Sequence, residues 1–290
     1  ADPDVPDIVS IQTTITDWAG IATAQYRVQG PGAYDSGWLA LDGAFDATWD
    51  SSAALSEGVH TVNIRATDAS AGANLADPVG SEGSITLTDT TAPSIVVDSI
   101  TAAGDPDTSD IITIQTTLTD WSGILGGSAQ YRIQGPSAYD SGWLALDGAG
   151  DASFDSSLVN AEGVHTVNIR ATDASAANNV ADPAGDEGSF TLTDATVPNI
   201  VVDSITATGD PEQADIINIQ TTITNWSGAT GEYRILGPGG FNSGWIALDG
   251  AGDVAWDSSN ATQEGVHTVN IRATDASAAN NVADPAGDEG

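Results

Sequence analysis

The sequence predicts an all-β protein built as a tandem array of three antiparallel β-sandwich domains. Three observations predict it: an internal repeat about a hundred residues long, strict apolar/polar alternation within each repeat, and turn residues between the alternating runs. The stretch EGVHTVNIRATDASAANNVADPAGDEG occupies Glu162–Gly188 and recurs unchanged at Glu264–Gly290, and Glu57–Gly83 is a close copy. Upstream, YDSGWLALDGA stands at Tyr34–Ala44 and Tyr139–Ala149, with FNSGWIALDGA at Phe241–Ala251. IQTTITDW, IQTTLTDW and IQTTITNW begin at Ile11, Ile114 and Ile219. The period is 102 to 105 residues, too long for a solenoid turn and suited to whole sandwich domains in a row. The boundaries fall at 1–90, 91–193 and 194–290.

Each element of one repeat follows from a period of two. In the middle copy, Ser94–Ile100 is rich in β-branched residues and follows Pro93. Ile112, Ile114, Thr116 and Leu118 share one face of the next strand. Tyr131 and Ile133 alternate with Gln130, Arg132 and Gln134. A short strand spans Trp143 to Leu146 between the turn signals Ser141-Gly142 and Asp147-Gly148, and Ala152–Asp155 is another. His165, Val167, Ile169 and Ala171 share a face, and Phe190 and Leu192 alternate within Ser189–Thr193. About seven short strands result, with no sustained helical period.

The repeat resembles the bacterial and archaeal immunoglobulin-like domains (Big or cadherin-like) strung along prokaryotic surface proteins. The resemblance rests on Trp143-x-x-Leu146-Asp147-Gly148, Phe154-Asp155, Glu162 to Val167, Ile169 to Asp173 and the joint Thr193-Asp194-x-Thr196-x-Pro198. It covers all three copies. It implies immunoglobulin-like sandwiches and an extracellular, cell-surface setting; such domains serve as adhesin stalks, surface-layer (S-layer) components, filaments and enzyme accessory modules. The first repeat is expected to lack the counterpart of Ser94–Ile100 and the third that of Ser189–Thr193. Such a phase suits a window from a longer array, or strands exchanged between neighbours in a fibre.

Composition narrows the function. The formal net charge is −35, with six Arg, no Lys, no Cys and no Met. The three repeats carry −11, −12 and −12, so the acidity belongs to every domain. Two Arg per repeat cannot build a phosphate-binding patch, which argues against nucleic acid. No apolar run is long enough for a membrane-inserted helix, and zinc or iron held by cysteine is excluded. Excess carboxylate draws cations, calcium above all outside the cell.

Calcium ligands are expected first in the loop after each His-bearing strand: Asp68, Asp77 and Glu82; Asp173, Asp182, Asp186 and Glu187; Asp275, Asp284, Asp288 and Glu289. Calcium at the domain joints, which the resemblance to stalks suggests, would use Asp89, Asp105, Asp107, Asp194 and Asp210, with Asp110, Glu212 and Asp215 near them. Asp147, Asp151 and Asp155 have a spacing open to a glycosidase pair, but three copies beside Asp-Gly turns mark them as turn formers. His60, His165 and His267 share the inward face and are structural. Trp121, Tyr131 and Trp143 are expected in the core, and the Arg pairs on the outer face beside carboxylates. Asn225 and Asn260 stand in N-x-S/T sequons.

These features predict a structural, non-enzymatic protein: a segment of a surface filament, surface-layer component or adhesin stalk that self-associates. One alternative is a carbohydrate-binding array, with a glycan on exposed Trp18, Trp121 and Trp226. Another is the accessory region of a secreted enzyme.

Overall fold

A computed structural model of the chain describes residues 1–5, 7–101, 103–206, 209–210, 212–285 and 287. In the middle repeat the alternation becomes two sheets. Along Ile111–Thr119, Ile112, Ile114 and Thr116 are buried while Gln115 and Thr117 face out. This strand is antiparallel to both Ser94–Ile100 and Ala152–Asp155. The second sheet centres on Gly163–Thr172, flanked by Gln130–Gly135 and Gly188–Leu192. Tyr139–Asp140 and Leu144–Ala145 extend its edge. Ala103–Gly104 pairs in parallel with Gly188–Leu192, so the chain crosses from one sheet to the other just after its first strand. A three-stranded sheet packed on a larger, mainly antiparallel one is an immunoglobulin-like sandwich.

The inward faces meet in one core per repeat. In the middle repeat, Ile112, Ile114 and Phe154 of one sheet close on Tyr131, Ile133, Val167, Ile169, Phe190 and Leu192 of the other. Each such side chain contributes about 1.5–3 kcal/mol on burial. The outer repeats have their own cores, around Val28 and Trp49 in the first and around Ile219 and Trp256 in the third.

One end of every sandwich is closed by a histidine lying on a glycine. His60 and His165 are fully buried. The Nδ1–H of His60, His165 and His267 donates to the carbonyl of Gly58, Gly163 and Gly265, at 3.2, 3.1 and 3.1 Å. Nε2 of each ring is buried without a partner, which fits a neutral imidazole. Burial accordingly pushes the His165 pKa below its ordinary 6.5, against the Gly163 hydrogen bond. Gly30, Gly135 and Gly237 pass beneath these rings so closely that a Cβ would overlap the imidazole. Phe190 stacks on His165 with centroids 5.4 Å apart.

Trp143 is not in the core. It lies half-buried on the outer face, with the Arg170 guanidinium 4.2 Å and Arg132 6.0 Å from its ring centroid. Trp38 and Trp245 carry Arg65 and Arg272 at 4.3 Å in the same way. Arg132 also pairs with Asp140 and Arg27 with Asp35, which holds the Asp140 carboxyl at about 2. Alternation placed the Arg on this face; the tryptophan precedes a two-residue strand, too short for a period to show.

The flanking repeats depart from this plan. In the first repeat, among the described residues, Ile8–Gln12 pairs with Asp46–Asp50 alone, a two-stranded sheet. In the third, Thr268–Asp275 has no described counterpart of Gly188–Leu192 beside it. A groove of about 820 Å³ lies there, with Ile205, Ile217, Ile235, Trp256, His267 and Val269 in its lining.

Candidate functional site at the domain joints

Among the described residues, the carboxylates of the loops after the His-bearing strands are dispersed. Asp173 is fully buried, and it accepts from the amide and hydroxyl of Ser175 and from the amide and side chain of Asn179. Asp68 and Asp275 organise their loops in the same way; for Asp68 the Asn74 and Ser70 hydrogen bonds lower the pKa. Glu82 and Glu187 instead accept from the backbone amides of Ile64 and Ile169, and burial raises the Glu187 pKa. Asp186 accepts from Asn168. Asp77, Asp182 and Asp284 are exposed; Asp288 and Glu289 lie outside the described residues. In the first two repeats the first and last carboxylates of these loops serve local backbone amides, and among the described residues the loop acids form no cluster of three.

The turn acids behave as turn formers. Asp147 accepts from the amides of Ala149 and Asp151, and Asp155 from the amide and hydroxyl of Ser157.

Carboxylates gather instead at the joints. Asp89 belongs to the segment between the first and second repeats and is fully buried. Its amide donates to Glu57 of the first repeat at 2.8 Å, and its carbonyl accepts from Asn179 of the second at 3.1 Å. The other oxygen of Glu57 accepts from the Ala176 amide of the second repeat at 2.7 Å, so one carboxylate clasps linker and neighbour together. The second joint repeats this: Glu162 accepts from the amides of Asp194 and Ala278, both at 2.7 Å, and Asn281 donates to the Asp194 carbonyl.

A tryptophan fills each joint. Trp121 ends the motif IQTTLTDW, yet its ring packs against the core of the first repeat. Trp226 packs in the same way on the core of the second. Their amides donate to Asp4 at 3.1 Å and to Asp107 at 2.9 Å. Trp18, at the equivalent place in the first repeat, is fully exposed.

Asp4, Asp89 and Asp120 each present an oxygen within 4.8 Å of the other two. Burial, reinforced by the Asp120 charge, raises the Asp4 pKa, and burial likewise raises Asp89 and Asp194. Of the expected joint acids, the structure brings Asp89 to the first joint, and Asp107 and Asp194 together to the second. Asp105 accepts from the Thr196 hydroxyl on the linker. Asp210 caps a turn of its own repeat. Asp4, Asp120, Glu57 and Glu162 escaped the sequence reading. Glu57 and Glu162 were within reach of it, because a glutamate opens the EGVHTVNIRATD run in every copy.

No protein-family model and no curated protein sequence matches the chain. Among solved structures, similar chains include a tetra-tandem repeat from the extending region of a large adhesion protein, with 16% identity over 98% of this chain and 69% of that one, at a TM-score of 0.35. A Ca2+-stabilized adhesin of an Antarctic bacterium that binds ice gives 19% identity over 98% and 68%, at 0.29. The chicken CNTN1 FN1-FN3 domains give 9% over 96% and 91%, at 0.31. Likenesses at this level carry no weight for function.

Proposed function

We propose that the chain is a spacer: a run of sandwich domains whose joints are stiffened so that tandem linkage sets length, within an extracellular surface fibre, surface-layer component or adhesin stalk. The observation that carries this reading is the seating of Trp121 and Trp226 on the core of the preceding domain, clasped by Glu57 and Glu162. Flexible linkers need no such contacts. Calcium at the joints is part of the proposal, since buried carboxylates repel one another and a cation offsets that. A non-enzymatic role fits the use of the expected Asp and His residues in turns and cores. The prokaryotic surface setting rests on the motif resemblance.

Self-association by strand donation belongs to the same proposal. The carbohydrate reading loses its platform, because two of the three tryptophans it needs are packed into joints.

Small-angle X-ray scattering tests the spacer. The expected result is one extended, narrowly distributed shape, which Trp121→Ala broadens while the far-ultraviolet circular dichroism stays β. Identical scattering from wild type and variant would contradict it.

A further inference from the structure

The two joints share one plan and differ at one residue. Asp4, Asp89 and Asp120 in the first correspond to Asp107, Asp194 and Asn225 in the second. Asn225 accepts from the Ser227 amide and hydroxyl through Oδ1, at 3.0 and 2.6 Å. Its Nδ2 donates to Asp107 Oδ2 at 2.6 Å and to the Thr196 carbonyl at 3.1 Å. Asp120 Oδ1 makes the same two bonds, to Ser122, at 2.8 and 2.7 Å. Its Oδ2, the counterpart of that amide nitrogen, is buried with no hydrogen-bond partner.

Asp89 adds a second buried oxygen without a partner, Oδ2, on a residue that is 0% exposed. In the second joint Asp194 Oδ2 is similarly left, but there an amide N–H has replaced one of the three carboxylate oxygens. No arginine serves the first cluster: Arg27, Arg65, Arg132, Arg170, Arg234 and Arg272 all sit over Trp38, Trp143 or Trp245 on the outer sheet faces. An all-oxygen, triply acidic set suits a hard divalent cation.

We infer that the first joint is a divalent-cation site held by Asp4, Asp89 and Asp120, and that in the second joint the Asn225 amide takes the cation's part. Of the two joints, one thus depends on a cation and the other is closed by a hydrogen bond, and removal of the cation loosens the first alone. This rests on reading the joints as the stiffened elements of a spacer. The amide is a poor substitute as a ligand: it carries no charge, and its oxygen already serves Ser227.

Calcium titration by calorimetry on the whole chain, with Asp120→Asn and Asn225→Asp, tests it. The expected result is one tight site in the wild type, at least about tenfold weaker binding in Asp120→Asn, and a second tight site gained in Asn225→Asp. The gain cannot be mistaken for misfolding. Two equal sites in the wild type, or binding indifferent to both substitutions, would overturn the inference and leave a calcium-stiffened spacer standing. No calcium binding by any of the three proteins would remove calcium from the joints altogether.

Discussion

Gly135 and His165 are thirty residues apart in sequence and in contact in the fold. Gly135→Ala is expected to lower stability by about 1–3 kcal/mol, since neither a ring locked by the Gly163 carbonyl nor the strand beneath it has room to move; chemical denaturation measures this. His165 also makes stability depend on pH. Its folded pKa lies below the ordinary 6.5, so the unfolded chain binds the proton more readily. The contribution is whole above pH 6.5 and is lost as pH falls through the lower folded-state value. Urea midpoints across that range should fall with pH in the wild type and fall less in a His165→Gln variant. At this scale the sequence was partly legible: alternation put His165 inside, but no pattern connects it to Gly135. Trp143 was misplaced because large aromatics favour burial in general, and two guanidinium groups supplied that cover from outside.

Among elements, strands such as Ile111–Thr119 were readable because one face is buried and the other wet. The joints were not. IQTTLTDW reads as the end of one strand of its own repeat, yet Trp121 is packed on the core of another domain, a contact that no pattern within one repeat encodes. The partners of the loop acids were not legible either. Asp173 and Glu187 sit at a spacing suited to ligands, but backbone amides of Ser175, Asn179 and Ile169 take their oxygens, as short-range side-chain-to-backbone bonds do. Trp121 carries apolar contact across the first joint, onto the core of the first repeat. Its truncation in the scattering experiment should weaken the coupling of the first two repeats by about 1–2 kcal/mol, enough to let the domains move while each core stays intact.

For the whole molecule, charge and contact oppose each other. Each repeat carries −11 or −12, so neighbouring domains repel and the chain favours extension at low salt. Repulsion alone yields an extended but flexible chain; the tryptophan seats and glutamate clasps would convert it into a stiff one. Repeat number and period were plain in the sequence, whereas stiffness depends on contacts between domains that no single repeat contains. The absence of native cysteine permits a direct measurement. Spin labels placed on single introduced cysteines in the outer-face strands of the first and second repeats, read by pulsed dipolar spectroscopy, report the distance across the first joint. A single narrow distribution in the presence of calcium is the predicted result. A broad distribution, the same with and without calcium and unchanged by Trp121→Ala, would mean that the domains swing freely and that the joints do not stiffen the chain.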